Sequence, residues 1–211
     1  MCIVDTNGRA IFKSISDFCP EKTIVSDGLS KWCAAGGWRL GYFAIPKSLN
    51  LLRDRMKILA SETFSSVSAP IQYAAIKAYN TDQTTYLTKA RNILKGVGNY
   101  VYENLKSNDT IINKPQGGFY LMPEFLNKKF TNSSKMCDDI LNKTGVALLP
   151  GSDFGLLQER MIARLSFTDF DGYNFMSKID LDTNIDEDLI KKYAPNIIEG
   201  ISRINDWVEK V

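Results

Sequence analysis

The chain contains no histidine. That absence removes the side chain that most often acts as general base near neutral pH, as proton shuttle and as metal ligand, so histidine-based triads and zinc sites are not expected. Cysteine is scarce as well. Cys2, Cys19, Cys33 and Cys137 are irregularly spaced and form no C-x-x-C pair, which gives neither a disulfide framework nor a metal motif. The expectation is reduced thiols, buried as small hydrophobes, in a cytoplasmic protein with no metal. Neither charge sign dominates: 26 lysines and arginines stand against 24 acidic residues, and a net +2 indicates no nucleic-acid or membrane partner. No leader-like N-terminus and no bilayer-length apolar run is present. Repeats, low-complexity tracts and charge blocks are also missing.

What remains is an ordinary globular composition, 44% hydrophobic and 24% charged over 211 residues. That length suits one large or two modest domains, and a single domain of this size buries roughly 70% of its unfolded surface. Two short β-rich runs flank Thr6-Asn7-Gly8, a hairpin signal. "KTIVSDG" and "WRLGYFAIP" read as buried strands, and "KSLNLLRDRMKILASET" reads as a helix broken at residues 66–68. Pro70 suits the first turn of the next helix. The strongest helical period follows in Leu87, Ala90, Leu94, Val97, Val101 and Leu105, with Thr81-Asp82 as its cap.

Beyond it, "GGFYLMPEF" reads as a strand after a Pro-Gln-Gly-Gly turn, and "SSKMCDDILNKTG" as a helix ended by Gly145. "VALLPG" and "RMIARLSFT" read as strands. A final helix starts near Pro195 and carries Ile197, Ile201, Ile204, Val208 and Val211 on one face. Strands mixed with long helices indicate an α/β or α+β protein with a seam near residues 65–82. The part before the seam reads as a mainly parallel sheet, and the part after it as a smaller domain.

Within "SDGLSKWCAAGGWRLGYFAIP", Lys31 stands among small and apolar residues, with Asp27 the nearest carboxylate, and Arg39 follows eight residues later. A lysine amine is a Schiff-base nucleophile when burial or a nearby cation lowers its pKa, and an arginine fork holds phosphate bidentately. Gly36-Gly37 offers the freedom for the chain to turn back and bring both toward one ligand. A lysine with a phosphate-holding arginine is the minimum equipment for pyridoxal phosphate.

"GLSKWCAAGGWRLGY" resembles the cofactor-lysine segment of the class I and II aminotransferases of the aspartate aminotransferase fold. "SSVSAPIQYAA", "PQGGFYLMPEF", "VALLPGSDFG" and "ARLSF" resemble later segments of the same family. The resemblance implies a PLP-dependent transferase-like α/β fold. Residues 1–75 would be the remainder of a large, mainly parallel-sheet domain that binds pyridoxal 5'-phosphate, and 76–211 a C-terminal small α+β domain. It implies that Lys31 forms the Schiff base and carries the proton, that Arg39 holds the cofactor phosphate, and that Arg164 pairs with the substrate α-carboxylate. Many members have a serine where this chain has Gly28, which leaves Ser30 as the substitute phosphate contact.

Family members carry about half their length before the lysine, and this chain has thirty residues there. The expectation is therefore the C-terminal part of an aminotransferase acting on an amino acid and a 2-oxo acid, incomplete as a single chain. It would work as a homodimer or with an N-terminal half supplied elsewhere. The alternatives are a non-catalytic remnant or association module of the same fold, and one half of a split enzyme.

Overall fold

The computed structural model describes residues 2–4, 10–126 and 129–210. The chain divides into two compact units, Met1–Asp82 and Gln83–Val211. In the first unit β1 (Cys2–Val4) and β2 (Ala10–Phe12) pair antiparallel, while the Thr6-Asn7-Gly8 turn expected between them lies outside the described residues. β3 (Val25–Gly28) leads into the single-turn α1 (Leu29–Trp32), and a 3-10 turn at Gly36–Trp38 leads to β4 (Gly41–Ala44). Helices α2 (Asn50–Thr63) and α3 (Ala69–Asn80) follow, with Pro70 in the first turn of α3. The boundary at 75/76 drawn from the sequence falls inside α3.

Two expectations about this unit change. β3 and β4 are antiparallel, and so is every strand pairing among the described residues. A parallel partner needs a crossover long enough to carry the chain back along the sheet, and one helical turn plus one 3-10 turn does not provide it. Nor are the two strands buried: every residue of β4 and all of β3 except Gly28 are exposed. Leu29 and Ala75 are the only buried hydrophobic residues described in this unit. Leu51, Leu52, Ile58 and Leu59 form an exposed stripe on α2, the two pairs standing two turns apart.

The second unit holds a contiguous core. Its longest helix, α4 (Thr84–Leu105), buries Ile93, Val97, Val101 and Leu105. The N-cap position falls on Gln83 and not on the expected Thr81-Asp82, and the Thr81 hydroxyl donates to the Lys77 carbonyl at the end of α3 (2.8 Å). β5 (Thr110–Ile111) is followed by a split strand. β6 (Tyr120–Leu121) and β7 (Glu124–Phe125) are separated at buried Pro123, which has no N–H for a ladder bond. β7 pairs with β5 instead.

α5 (Ser133–Thr144) is capped by the Asn132 side chain, which accepts from the Ser134 and Lys135 amides, and it ends at Gly145 in the left-handed region (φ 75°). β8 (Leu149–Pro150) and β9 (Ala163–Ser166) complete a three-stranded sheet in the order β6-β9-β8. α6 (Gly172–Ser177) and α7 (Glu187–Tyr193) are capped by Asp171 and Asp186. α8 (Pro195–Lys210) closes the unit with Ile197, Ile201, Ile204 and Trp207 buried. Cys137 lies in this core, where burial pushes its thiol up to about 11, whereas Cys19 and Cys33 in the first unit are only half-buried.

Asp139 on α5 accepts from the Trp207 indole N–H (2.8 Å) and pairs with Lys143 (3.0 Å), so two helices meet at one carboxylate. The indole bond is the largest cause holding its carboxyl below the usual range. A folded pKa below the unfolded one contributes stability that is fully present above about pH 4 and is lost as pH falls through the lower folded value. We expect Asp139→Asn to lower the urea midpoint at pH 7, with the gap to the parent chain closing below about pH 4. Ile204, with none of its surface exposed, sets a second expectation. Ile204→Ala should cost about 2–5 kcal/mol, and Ile58→Ala on the exposed stripe little, both read from denaturant unfolding.

Candidate active site

Lys31 and Arg39 line one pocket of about 440 Å³ in the first unit, together with Ser26, Asp27 and Ser30. The strand pair builds it. Gly28 lies directly opposite Gly41, and a Cβ at Gly28 would stand 2.7 Å from the Leu40 carbonyl oxygen and 3.0 Å from the Gly41 Cα. No side chain fits there without moving backbone, so a hydroxyl at position 28 is excluded by the strand crossing itself. Ser30 lines the pocket from α1, and Ser26 lies on β3. Ser26 was missed in reading the sequence. The period of two along a strand puts it on the same face as Gly28, and that signal was legible.

The turn between the lysine and the arginine is not made by the glycines expected to make it. Gly36 and Gly37 are not among the residues with positive φ, whereas Ala34 (φ 51°) and Arg39 (φ 53°) adopt the left-handed region. For residues bearing a Cβ this costs roughly 1–2 kcal/mol each, so strain is concentrated on the segment that carries Arg39 to the pocket. The Arg39 guanidinium donates from Nη1 to the Gly36 carbonyl (2.8 Å), which fixes its direction. Four of its five N–H donors remain for a ligand. Lys31 is exposed, so the apolar enclosure suggested by its neighbours in sequence is not formed by the described residues. Behind the pocket, Asp27 and Tyr79 both hydrogen-bond the Tyr42 hydroxyl. Loss of water around that ring is the largest cause lifting its phenol above the ordinary value, followed by the charges of Tyr79 and Asp27.

Arg164 belongs to the second unit, on the central strand β9, opposite Leu149 of β8. Its guanidinium carbon lies 4.5 Å from the Tyr120 ring centre and 4.3 Å from that of Phe154. Tyr120 comes from β6, and Phe154 from a 3-10 turn at Gly151–Phe154. Two aromatic contacts orient the planar group, each worth about 0.5–2 kcal/mol depending on exposure. The Arg164 guanidinium makes no ion pair and no hydrogen bond among the described residues. Its in-plane donors suit a carboxylate. The aromatic pair was not identified from sequence, because Tyr120 and Phe154 are 34 residues apart and meet only through the sheet.

Residues 7–171 match the family described as aminotransferase class I and II. The chain belongs to that family. An aspartate aminotransferase from Geobacillus stearothermophilus is 35% identical over 159 residues, covering 71% of this chain and 39% of that protein. Among solved structures, an aspartate aminotransferase from Thermotoga maritima aligns with a TM-score of 0.62 at 27% identity over 88% of this chain and 40% of its own. An alanine aminotransferase from Pyrococcus furiosus gives 0.68 at 26% identity, over 89% of this chain and 42% of its own. The chain thus spans about two fifths of the length of these relatives, and its fold is that of the PLP-dependent transferases. Aminotransferases of the aspartate aminotransferase type use pyridoxal phosphate.

The described residues include no group of three or more acidic or cysteine side chains able to hold a metal, and no helix long and apolar enough to cross a membrane. The donor set of the pocket fits pyridoxal phosphate in kind: a primary amine for its aldehyde, with a guanidinium and two hydroxyls for its phosphate. The steric exclusion at position 28 gives a direct expectation. Gly28→Ser should loosen the β3–β4 pair, costing about 1–3 kcal/mol and speeding amide exchange across residues 41–44, while exchange on α4 stays unchanged.

Proposed function

We propose that this chain carries the cofactor-lysine part of a pyridoxal-phosphate-dependent aminotransferase that moves an amino group between an amino acid and a 2-oxo acid. The observation that carries this reading is the convergence of Lys31 and Arg39 on one pocket. The first unit corresponds to the remainder of the large, cofactor-binding domain and the second to the small C-terminal domain. Free Cys19, Cys33 and Cys137 accord with a reducing compartment such as the cytoplasm.

Lys31 Nζ would be the amine that holds the cofactor aldehyde, and as a free amine it would be placed to take the substrate Cα proton and to give it back. Arg39, oriented by its bond to Gly36, holds the phosphate with charge-assisted hydrogen bonds, and Ser30 and Ser26 add neutral ones. Arg164, oriented by Tyr120 and Phe154, receives the substrate carboxylate in its plane. When bound, the cofactor supplies a conjugated ring that accepts the electron pair left at Cα.

The first unit's exposed apolar residues support a site completed by further polypeptide. Phe43, Leu51, Ile58, Leu59, Phe64 and Tyr73 are all more than half exposed, a surface that monomeric proteins seldom leave open. A second copy of the chain or a separate N-terminal half would each cover it. The same observation favours a second reading, an association module of the same fold with no catalysis.

Reduction with borohydride in the presence of pyridoxal phosphate, followed by peptide mass mapping, separates the two. The aminotransferase reading expects one dominant adduct, on Lys31, abolished in Lys31→Ala and weakened about tenfold or more in Arg39→Ala. Adducts spread over many lysines and unchanged in Lys31→Ala would sink it and leave the association module.

A further inference from the structure

The second unit has a cleft of about 520 Å³ between α4 and the loop at residues 114–118. Three of its lining residues are cations, Arg91, Lys95 and Lys114, and none is acidic. We propose that this cleft binds a small polyanion, a molecule carrying phosphate or several carboxylate groups. The assignment is independent of the roles given to Lys31, Arg39 and Arg164.

Placement of the three charges follows from the helix. Arg91, Lys95 and Asn99 recur every four residues, so they stand in one row on α4, about 6 Å apart along its axis. Like charges one turn apart oppose helix formation unless acids offset them, as they do for three other helical cations of this unit. Lys143, Lys191 and Arg203 each pair with an acid four residues earlier on the same helix. Arg91, Lys95 and Lys114 have no ion pair among the described residues. A row of unpaired cations in a concave, acid-free surface concentrates positive potential where an anion can enter.

The other wall is held close by a missing side chain. A Cβ at Gly98 would lie 3.0 Å from the Phe167 ring and 3.4 Å from the Pro115 ring, so the glycine lets Pro115 seat against α4 and keeps Lys114 and Gln116 at the cleft. Past them, Gly117 and Gly118 have open space where a Cβ would stand, and Gly118 adopts a left-handed φ of 71°. The backbone N–H groups of Gln116, Gly117 and Gly118 donate to no acceptor among the described residues. Main-chain donors beside three cations are the combination that recognises phosphate and carboxylate oxygens. The volume suits a small molecule.

The test is isothermal titration of the full chain at low ionic strength with pyrophosphate and, separately, citrate. We expect saturable one-to-one binding of at least one of them. The combined Arg91→Ala, Lys95→Ala and Lys114→Ala variant should lose about tenfold or more in affinity. Lys31→Ala with Arg39→Ala should retain this binding event and lose at most a separate one at the pocket in the first unit, which distinguishes the cleft from that pocket. All three cations are exposed, and the single Lys114→Glu reversal in the loop gives the same reading should the triple variant fail to fold. Absence of saturable binding by both anions would overturn the proposal. So would unchanged affinity in the cleft variants, or a loss confined to the Lys31 and Arg39 variant.

Discussion

The pocket of the first unit depends on one close approach. Because Gly28 presses against the Leu40 carbonyl and the Gly41 Cα, the chain entering α1 and the chain leaving the Arg39 turn are locked side by side. The Leu29 amide, which donates to the Leu40 carbonyl at 3.2 Å, closes the same junction, and Leu29 is one of two buried hydrophobic residues described in this unit. Lys31 lies on the helical turn that starts there, and Arg39 on the residue before Leu40. Their convergence is therefore a property of the backbone crossing. The side chains need only reach out from fixed Cα positions.

The strain at Ala34 and Arg39 becomes intelligible in this setting. Twelve residues must leave β3, make one helical turn and return so that β4 pairs with β3 from Gly41 on, and two residues in the left-handed region are the cost of that return. Glycine at either position would remove the penalty but widen the range of directions open to the segment. Arg39 instead holds its own turn, since its guanidinium bonds the Gly36 carbonyl three residues back. A side chain that stabilises the loop presenting it arrives already oriented, and less entropy is lost when an anion binds.

Much of this was legible in the sequence, and the misses share a cause. The 3.6-residue period placed most of the core face of α4 and α8, missing Ile93 and Trp207 while Val211 lies outside the described residues, and Gly145 marked the end of α5, because those signals are local. The split at Pro123 was legible in principle from the missing N–H, but the run "GGFYLMPEF" is apolar enough to read as a single strand. The buried strands expected around Lys31 proved exposed. Their apolar composition reports what a sheet face is made of and says nothing about which neighbours cover it. Position 28 shows the reverse: the glycine was noted as a departure from the family's serine, and only the strand register reveals that no side chain fits. Long-range pairings such as Arg164 with Tyr120 and Phe154 carry no local signature at all.

The two units also prepare their arginines differently, and the difference tracks their packing. The second unit has a contiguous core, so Arg164 can be aimed by rings that are fixed by strand and turn geometry, leaving its N–H donors unused by the described residues. Among the described residues the first unit has almost no core, and Arg39 is aimed by a backbone carbonyl three residues away, an interaction that needs no tertiary packing. An arginine aimed locally keeps its direction even where the surrounding sheet is uncovered. It follows that the proposed phosphate recognition by Arg39 would be less sensitive to what covers the apolar surface than is the environment of Lys31. Enclosure, which would tune that amine, has to come from outside the residues described.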